Sequence, residues 1–371
     1  MQKKIKIIAT VTNDLSYDQR MIRICTSLSK AGYEVQLVGR KRANSKPLIP
    51  QVFQQKRLNC HFDKGKLFYL EYNIRLFFYL LFSKFDIVNS IDLDTILAGF
   101  FIAKLKGKTC VYDAHEYFTE VPEVVTRPKI QRFWKRVEKL TVPRLKYCYT
   151  VGGSLAEMFT KEYKTPFAVV RNVPFKIKTP IQAASIGKKI LLYQGALNEG
   201  RGLEHLIEAM QEIDGAELQL AGEGDLSQEL RDLVKEKGLE DKVTFLGFVL
   251  PKDLPTITAR ANIGLNLLEN KGLSYYYSLA NKAFDYIQGR KPSINMAFPE
   301  YQRINDEYGT FCLINDLKMD TIATALKRLL TDEKYYLSLV ENCDAAADVF
   351  VWEREEEVLL SVYRSAVGVE N

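Results

Sequence analysis

Residues 5–38, IKIIATVTNDLSYDQRMIRICTSLSKAGYEVQLV, decide the fold class. Ile5–Thr10 is a nearly continuous apolar run, the pattern of a short strand covered on both faces. A polar turn follows, and Met21–Leu28 then carries apolar residues at helical spacing. Gly32 closes that helix, because glycine takes the left-handed conformation that ends helices at little cost. Glu34–Val38 returns as a second strand. Strand, helix and strand at this spacing make a parallel pair with a right-handed crossover.

The same alternation continues along the chain. Phe85–Asn89, Lys108–Tyr112, Lys146–Thr150 and Phe167–Val170 read as strands, with helices at Asp94–Leu105 and Ser154–Phe159. Residues 171–188, RNVPFKIKTPIQAASIGK, hold two prolines and no sustained period, and read as a linker. The pattern restarts with strands predicted at Lys189–Tyr193, Glu217–Ala221, Val243–Leu246, Ile263–Leu267 and Pro292–Met296. Helices are predicted at Leu203–Met210, Ser227–Lys237, Leu254–Arg260, Ala280–Ile287, Met319–Leu330 and Lys334–Ala347. The expectation is an α/β chain of two Rossmann-like, doubly wound parallel sheets facing across a cleft. The chain's 371 residues suit two such domains, 1–172 and 173–349.

Composition narrows the function classes. With 47% hydrophobic residues the chain can bury real cores, which excludes a disordered or collagen-like protein. The net charge of +6 does not by itself imply nucleic acid. Six scattered cysteines with no CxxC pair give no disulfide framework and no zinc knuckle, and suit a cytoplasmic setting. The opening MQKKIKIIAT is too short an apolar run for a signal peptide. Leu67–Phe85, interrupted by Glu71, Arg75 and Lys84, is too polar for a spanning helix, and Phe68–Phe82 within it reads as a core helix or a second docking face.

In doubly wound sheets ligands gather just beyond the carboxyl ends of the strands. After the first strand there is no GxGxxG, which argues against a dinucleotide there. The turn instead offers Asp14, Asp18 and Arg20, which either meet a polyhydroxylated substrate or cap the helix and pair with each other. Asp113-Ala114-His115-Glu116 is the densest polar cluster of the first half. His115 there either serves the substrate, as a donor or as a neutral base, or is a buried histidine bonded to Asp113.

Residues 127–146 hold eight basic residues against Glu138, a local net charge of +7, interleaved with Phe133, Trp134, Val137, Leu140 and Val142. Such a segment suits an anionic membrane surface, or else is a solvated helix packed on its own domain. No nucleic-acid module accompanies it.

In the second half, Gly195 opens a glycine-rich loop ending in Gly200-Arg201-Gly202 before a helix. Gly222-Glu223-Gly224 repeats the device one unit later. Glycines let backbone approach a ligand, helix starts favour phosphate, and Arg201 adds a permanent charge. The run from Leu268 to Tyr286 carries Gly272, Leu273 and Ser274, then Asn281, Lys282 and Asp285 at a helix start. A diphosphate near Lys282, with Asp285 accepting from sugar or ribose hydroxyls, would use these groups; the alternative is a helix cap with a surface ion pair.

These motifs together resemble the retaining glycosyltransferases of the GT-B fold, glycosyltransferase family 4 or the glycosyl transferases group 1. Asn13-Asp14-Leu15-Ser16-Tyr17-Asp18-Gln19-Arg20 is similar to the group's amino-terminal loop, and Tyr112-Asp113-Ala114-His115-Glu116 to its first-domain strand end. Ala221-Gly222-Glu223-Gly224 and Val243-Thr244-Phe245-Leu246-Gly247 resemble its second-domain hallmarks. Leu279-Ala280-Asn281-Lys282 with Asp285-Tyr286 and Pro292 resembles its donor-binding helix.

The resemblance implies a UDP- or GDP-linked nucleotide-sugar as donor substrate on the second domain, with no tightly bound cofactor and no metal. It implies a glycan or lipid-linked acceptor on the first domain, and a last helix, 350–371, that completes that domain. Catalytic roles then fall to Arg201, Lys282 and His115. Donor contacts fall to Gly195, Gly222, Gly224, Gly272, Leu273, Ser274, Asn281 and Asp285. Acceptor contacts fall to Asp14, Asp18, Arg20, Asp113 and Glu116.

The sequence departs from the family pattern at two positions. Ala196 stands soon after the loop glycine, where the family commonly has Arg. Tyr277 takes the place of the earlier of two glutamates, the later aligning with Asp285. The expected activity is hexosyl transfer in cell-surface polysaccharide synthesis, in the cytoplasm or on the inner face of its membrane, through 127–146. A nucleotide-sugar epimerase and an inactive sugar-binding scaffold are the alternatives.

Overall fold

A computed structural model describes residues 4–177 and 187–368. The chain forms two compact units, Met1–Asn172 with Glu355–Asn371, and Val173–Arg354. Most of the expected linker, 178–186, lies outside the described residues, as do the last residues of the expected 350–371 helix.

The first unit runs β1 (Lys6–Thr10), α1 (Gln19–Lys30), β2 (Glu34–Lys41), β3 (Gln54–Asn59), α2 (Gly65–Phe82), β4 (Ile87–Ile91) and α3 (Leu93–Lys106). It continues with β5 (Thr109–Ala114), α4 (Pro122–Val125), α5 (Pro128–Thr141), β6 (Tyr147–Thr150), α6 (Gly153–Tyr163) and β7 (Phe167–Val169). All seven strands are parallel, in the order β3-β2-β1-β4-β5-β6-β7. β1 is central, with Ala9 paired to Leu37 on one side and Asn89 on the other.

The second unit runs β8 (Lys189–Gln194), α7 (Leu203–Ala209), β9 (Ala216–Ala221), α8 (Ser227–Glu236), β10 (Val243–Gly247), α9 (Leu254–Arg260) and β11 (Ile263–Asn266). Then come α10 (Leu273–Tyr276), α11 (Asn281–Gln288), β12 (Ser293–Met296), α12 (Pro299–Tyr308), β13 (Phe311–Ile314), α13 (Met319–Thr331) and α14 (Glu333–Ala347). Its parallel order is β10-β9-β8-β11-β12-β13. The last helix, α15 (Trp352–Ala366), begins in the second unit and ends in the first. Within the first unit Tyr363 is fully buried with its ring 6.4 Å from that of Tyr33, and buried Glu355 accepts from the Arg171 backbone N–H at 2.7 Å.

Four elements differ from the sequence reading. β3 reads QQKRLN, with a single buried side chain, because it is an edge strand and edges carry polar residues. β4 runs Ile87–Ile91, two residues later than expected, and all five of its residues are buried. α12 and β13 were not expected at all: α12 exposes a mostly polar face, and β13 is only four residues long.

In each unit the strand order reverses direction beside the first strand, between β1 and β4 and between β8 and β11. Those two switch points are where such sheets bind ligands. α11 is pinned under the second one. The buried Tyr286 hydroxyl donates to the Leu192 carbonyl of β8 at 2.9 Å and the Leu265 carbonyl of β11 at 3.3 Å. Gly264 on β11 makes the room, since a β-carbon there would stand 2.4 Å from the Tyr286 ring. Gly264→Ala is therefore expected to destabilise the protein by about 1–3 kcal/mol, as overpacking does. Chemical denaturation of the variant against wild type measures it.

Candidate functional site

Lys282, Asp285 and Tyr286 share one face of α11, so the anchor that fixes Tyr286 also aims the other two. Lys282 Nζ lies 3.5 Å from the centre of the Tyr193 ring at the end of β8. A β-carbon on Gly195 would stand only 3.2 Å from that ammonium, so the loop glycine leaves the space that Lys282 uses. Arg201, in the loop before α7, lies 5.3 Å from the Tyr275 ring and is close enough to Lys282 to repel its charge. Burial first, and Arg201 second, hold the Lys282 pKa well below the ordinary lysine value, while Asp285 opposes them. Two like charges are thus gathered where the strand order reverses, an arrangement that an anion relieves.

Asp285 accepts from the Gln194 side-chain amide at 2.8 Å, and Gln194 in turn accepts from the Thr258 hydroxyl at 2.8 Å. Sequence reasoning passed over Tyr193, Gln194 and Lys271. Gln194 is the strand residue just before the loop glycine, a position that could have flagged it. Lys271 is held by Glu199 at 2.7 Å and Glu269 at 3.0 Å, so it is neutralised inside the loop.

The remaining glycines divide by role. A β-carbon on Gly222 would stand 1.8 Å from the Gly195 carbonyl oxygen, and one on Gly224 2.3 Å from the Asn198 side chain. Gly222 and Gly224 therefore let two loops abut. Gly272 precedes α10, Leu273 is exposed, and the Ser274 side chain is buried. Asn281 is exposed at the first position of α11. Tyr277 packs edge-on against Tyr276, and the Ala196 carbonyl accepts from the Tyr193 hydroxyl at 2.8 Å.

In the first unit the cluster centres on His115. Its Nε2 donates to Asp113 Oδ2 at 2.9 Å, and its backbone N–H donates to Asp92 Oδ1 at 2.8 Å. Asp92 has a left-handed backbone, φ 55°, which turns its carboxylate back toward the imidazole. Burial disfavours the charged ring, but Asp113 and then Asp92 outweigh it, and the His115 pKa rises to about 9. At neutral pH His115 is an imidazolium. That form donates hydrogen bonds, one of the two uses open to a histidine at this position.

Arg20 and Asp113 are 4% and 0% exposed and bind each other at 2.9 Å, with Arg20 also donating to the Val170 carbonyl at 2.8 Å. Asp18 caps α1, accepting from the Met21 backbone N–H at 2.9 Å and the Asn13 amide at 2.6 Å. Asp14 accepts from the Ser16 N–H at 3.1 Å and the Ser45 hydroxyl at 2.9 Å. Asp14, Asp18, Arg20 and Asp113 thus all have partners inside the unit; Arg20 and Asp113 are buried and support His115, whereas Asp14 and Asp18 are half-buried. Glu116 is exposed beside them.

Two residues missed in the sequence belong to this cluster, Asp92 and Asp94. Both carboxylates are raised by burial, Asp94 to about 7 and Asp92 well above its ordinary value. Asp94 accepts from the Thr12 hydroxyl at 2.6 Å. Placing β4 two residues early hid them, because the true strand ends immediately before Asp92. No group of three or more His, Cys, Asp or Glu among the described residues is arranged to hold a metal ion.

Comparison with known proteins agrees with both halves. Residues 19–174 match the family model described as Glycosyltransferase Family 4, and residues 188–332 that described as Glycosyl transferases group 1. A stretch covering 48% of this chain is 27% identical to an uncharacterized glycosyltransferase, MJ1607, of Methanocaldococcus jannaschii. The matched stretches span 46% and 40% of the curated relatives' own lengths, so the chain accounts for under half of each. A sucrose-phosphate synthase from Thermosynechococcus elongatus superposes over 99% of this chain and 100% of its own, with TM-score 0.81 and 18% identity. Anabaena Alr3699/HepE, in complex with UDP and glucose, superposes over 97% of this chain and 100% of its own, with TM-score 0.78 and 14% identity. The chain has the GT-B fold of two Rossmann-like, doubly wound parallel sheets, and is related to these glycosyltransferase families.

The His115 pKa rises from 6.5 to about 9 on folding, so the stability it contributes is whole below pH 6.5 and lost as pH rises through about 9. His115→Gln is expected to cost about 1–3 kcal/mol at pH 6 and to flatten the decline in melting temperature across that window. Thermal unfolding at a series of pH values checks it.

Proposed function

We propose that this chain, as a relative of those families, transfers a hexosyl group from a UDP- or GDP-sugar to a hydroxyl of a glycan or lipid-linked acceptor. The transfer proceeds with retention, in the synthesis of cell-surface polysaccharide. The observation that carries the reading is the convergence of Arg201 and desolvated Lys282 at the β8/β11 switch point, a cationic pair suited to a diphosphate. The UDP held by the Anabaena relative supports the same donor class here.

In the proposed step the bond between C1 of the sugar and the diphosphate oxygen breaks, and the diphosphate keeps the electron pair. Lys282 and Arg201 offset the charge that develops, and backbone N–H groups at Gly272, Leu273 and Ser274 add to them, since the first turn of a helix has donors with no internal partner. Asp285, besides its bond to Gln194, accepts from a ribose or sugar hydroxyl, and Asn281 and the Gly195 loop flank the donor. The acceptor oxygen attacks the same face of C1, and its proton passes to the departing diphosphate. Protonated His115 donates to a substrate oxygen on the first unit, with Glu116 beside it.

The acceptor class follows from charge. Residues 127–146 expose a dense basic face, so we assign them contact with an anionic membrane and the protein a peripheral place on its cytoplasmic side. No helix among the described residues is long and apolar enough to cross a membrane.

Lys282→Ala is expected to lower turnover by about 10²-fold or more, the usual loss of an electrostatic contact to a transition state. Nucleotide release with a panel of labelled UDP- and GDP-sugars measures it, and unchanged turnover rejects the role. In the same panel, inversion at C2 identifies an epimerase, and binding without turnover identifies an inactive sugar-binding protein.

At any pH high enough to leave part of Lys282 neutral, nucleoside diphosphate binding should draw a proton from solution. The anion favours the charged form of Lys282, whose pKa in the free protein lies below 10.5. Affinity therefore falls as pH rises through that depressed value. Calorimetry in buffers of different ionisation heat reads the uptake in wild type, and Lys282→Met should abolish it.

A further inference from the structure

α2 is apolar on both sides. Phe68, Tyr72, Leu76 and Leu80 are buried in the core of the first unit. Leu67, Leu70, Ile74, Phe78 and Phe82 form a second stripe at helical spacing, and every one is exposed, Leu70 at 59% and Phe82 at 82%. The stripe extends for roughly 22 Å along the helix. α3 packs beside α2 and adds Phe101 and Leu105, the latter 68% exposed. Lys106 ties the two helix ends together by donating to the Leu80 carbonyl at 2.9 Å and the Ser83 carbonyl at 2.7 Å. A contiguous apolar face of this extent is uncommon on a protein that meets only water.

The charges around this face have one sign. Among the carboxylates of α2, α3 and α5, Glu71 is bound by Arg75 at 2.8 Å, and Asp94 and Glu138 are buried. The exposed charges left on α3 and α5 are lysines and arginines. At the end of α3 an open cavity of about 500 Å³ is lined by Phe100, Lys104, Lys108, Arg144, Lys146 and Tyr147, among others. Lys108 pairs with Asp86 at 2.8 Å; Lys104, Arg144 and Lys146 have no carboxylate at ion-pair distance among the described residues. Two copies of such a face would repel each other, whereas an anionic lipid surface offers acyl chains to the stripe and phosphates to the cations.

We propose that the exposed side of α2 and α3 lies in the surface of an anionic phospholipid bilayer, with a lipid phosphate headgroup seated in the Lys104–Arg144–Lys146 cavity. This deepens the membrane contact assigned above to 127–146, and rests on that reading of an acceptor met at the membrane. The inserted element is α2 with α3, and the basic α5 flanks it. Phe82 and Leu105 enter the headgroup–acyl boundary, and the lysine stems lie along it with their ammonium groups toward the phosphates.

The test is co-sedimentation of the full chain with phosphatidylcholine vesicles, pure or carrying roughly 30% phosphatidylglycerol. Wild type should bind the anionic vesicles and not the neutral ones. Phe82→Ser with Leu105→Ser, and separately Lys104→Glu with Lys146→Glu, should each weaken binding about tenfold or more, with thermal unfolding and nucleotide binding unchanged. Inorganic phosphate should displace the protein no better than chloride of equal ionic strength; selective displacement would overturn the lipid assignment in favour of a free phosphate.

If Arg132→Glu with Arg136→Glu abolishes vesicle binding while both other double variants retain it, this proposal fails and the α5 contact stands. If wild type transfers sugar to a soluble acceptor but binds no vesicle, the membrane readings fail and the transferase stands. A dimer in light scattering that the Phe82/Leu105 variant dissociates would mean that a second copy covers the face, and would overturn the proposal.

Discussion

Lys282 is held where a lysine least favours its charge. It is partly withdrawn from water, laid on the Tyr193 ring and placed beside Arg201. Cation–π attraction offsets part of that cost, and Asp285 offsets part. The Tyr286 anchor between β8 and β11 fixes the helix that carries Lys282, and with it the position of the two cations. The glycine loops around it are shaped to the same end: Gly195 leaves space for the ammonium, and Gly222 lets the next loop close on the first. The functional reading of the second unit follows from this preorganised field, which needs no rearrangement when negative charge develops on a leaving group.

The first unit solves a different problem with the opposite sign of charge. Three buried carboxylates, Asp92, Asp94 and Asp113, gather near one imidazole, and burial alone would drive them to protonate. Arg20 and His115 keep Asp113 ionised, and Asp113 with Asp92 keeps His115 protonated. The cluster presents a hydrogen-bond donor whose charge is stable across neutral pH. Such a donor orients hydroxyl-rich ligands, and it leaves proton removal to the phosphate oxygens in the proposed step.

Much of this was legible in the residues. The alternation of apolar runs with amphipathic segments yields parallel sheets, and the glycines and cations at strand ends mark the loops that matter. Arg201, Lys282 and Asp285 stand out because a charged residue beside a glycine turn and a helix start has few structural uses. Asp92 and Asp94 did not stand out, because strand boundaries read from sequence drift by a few residues; a strand placed two residues early left Asp92 in the connection and Asp94 as the first residue of the next helix. Gln194 and Tyr193 were hidden for another reason. They lie inside a strand, where polar side chains read as incidental until their partners are known.

The sequence by itself determined the two doubly wound sheets, the loops beyond their strands and the cationic character of the second-unit site. These follow from periodicity and residue chemistry, which are local. Only the tertiary structure decided that Arg20 and Asp113 are buried partners, that Asp92 and Asp113 flank His115, and that one side of α2 is left uncovered. Partners for a charge and cover for an apolar face come from residues distant along the chain, such as Asp113 for Arg20, 93 positions away. No local pattern encodes which of those encounters the packing will make.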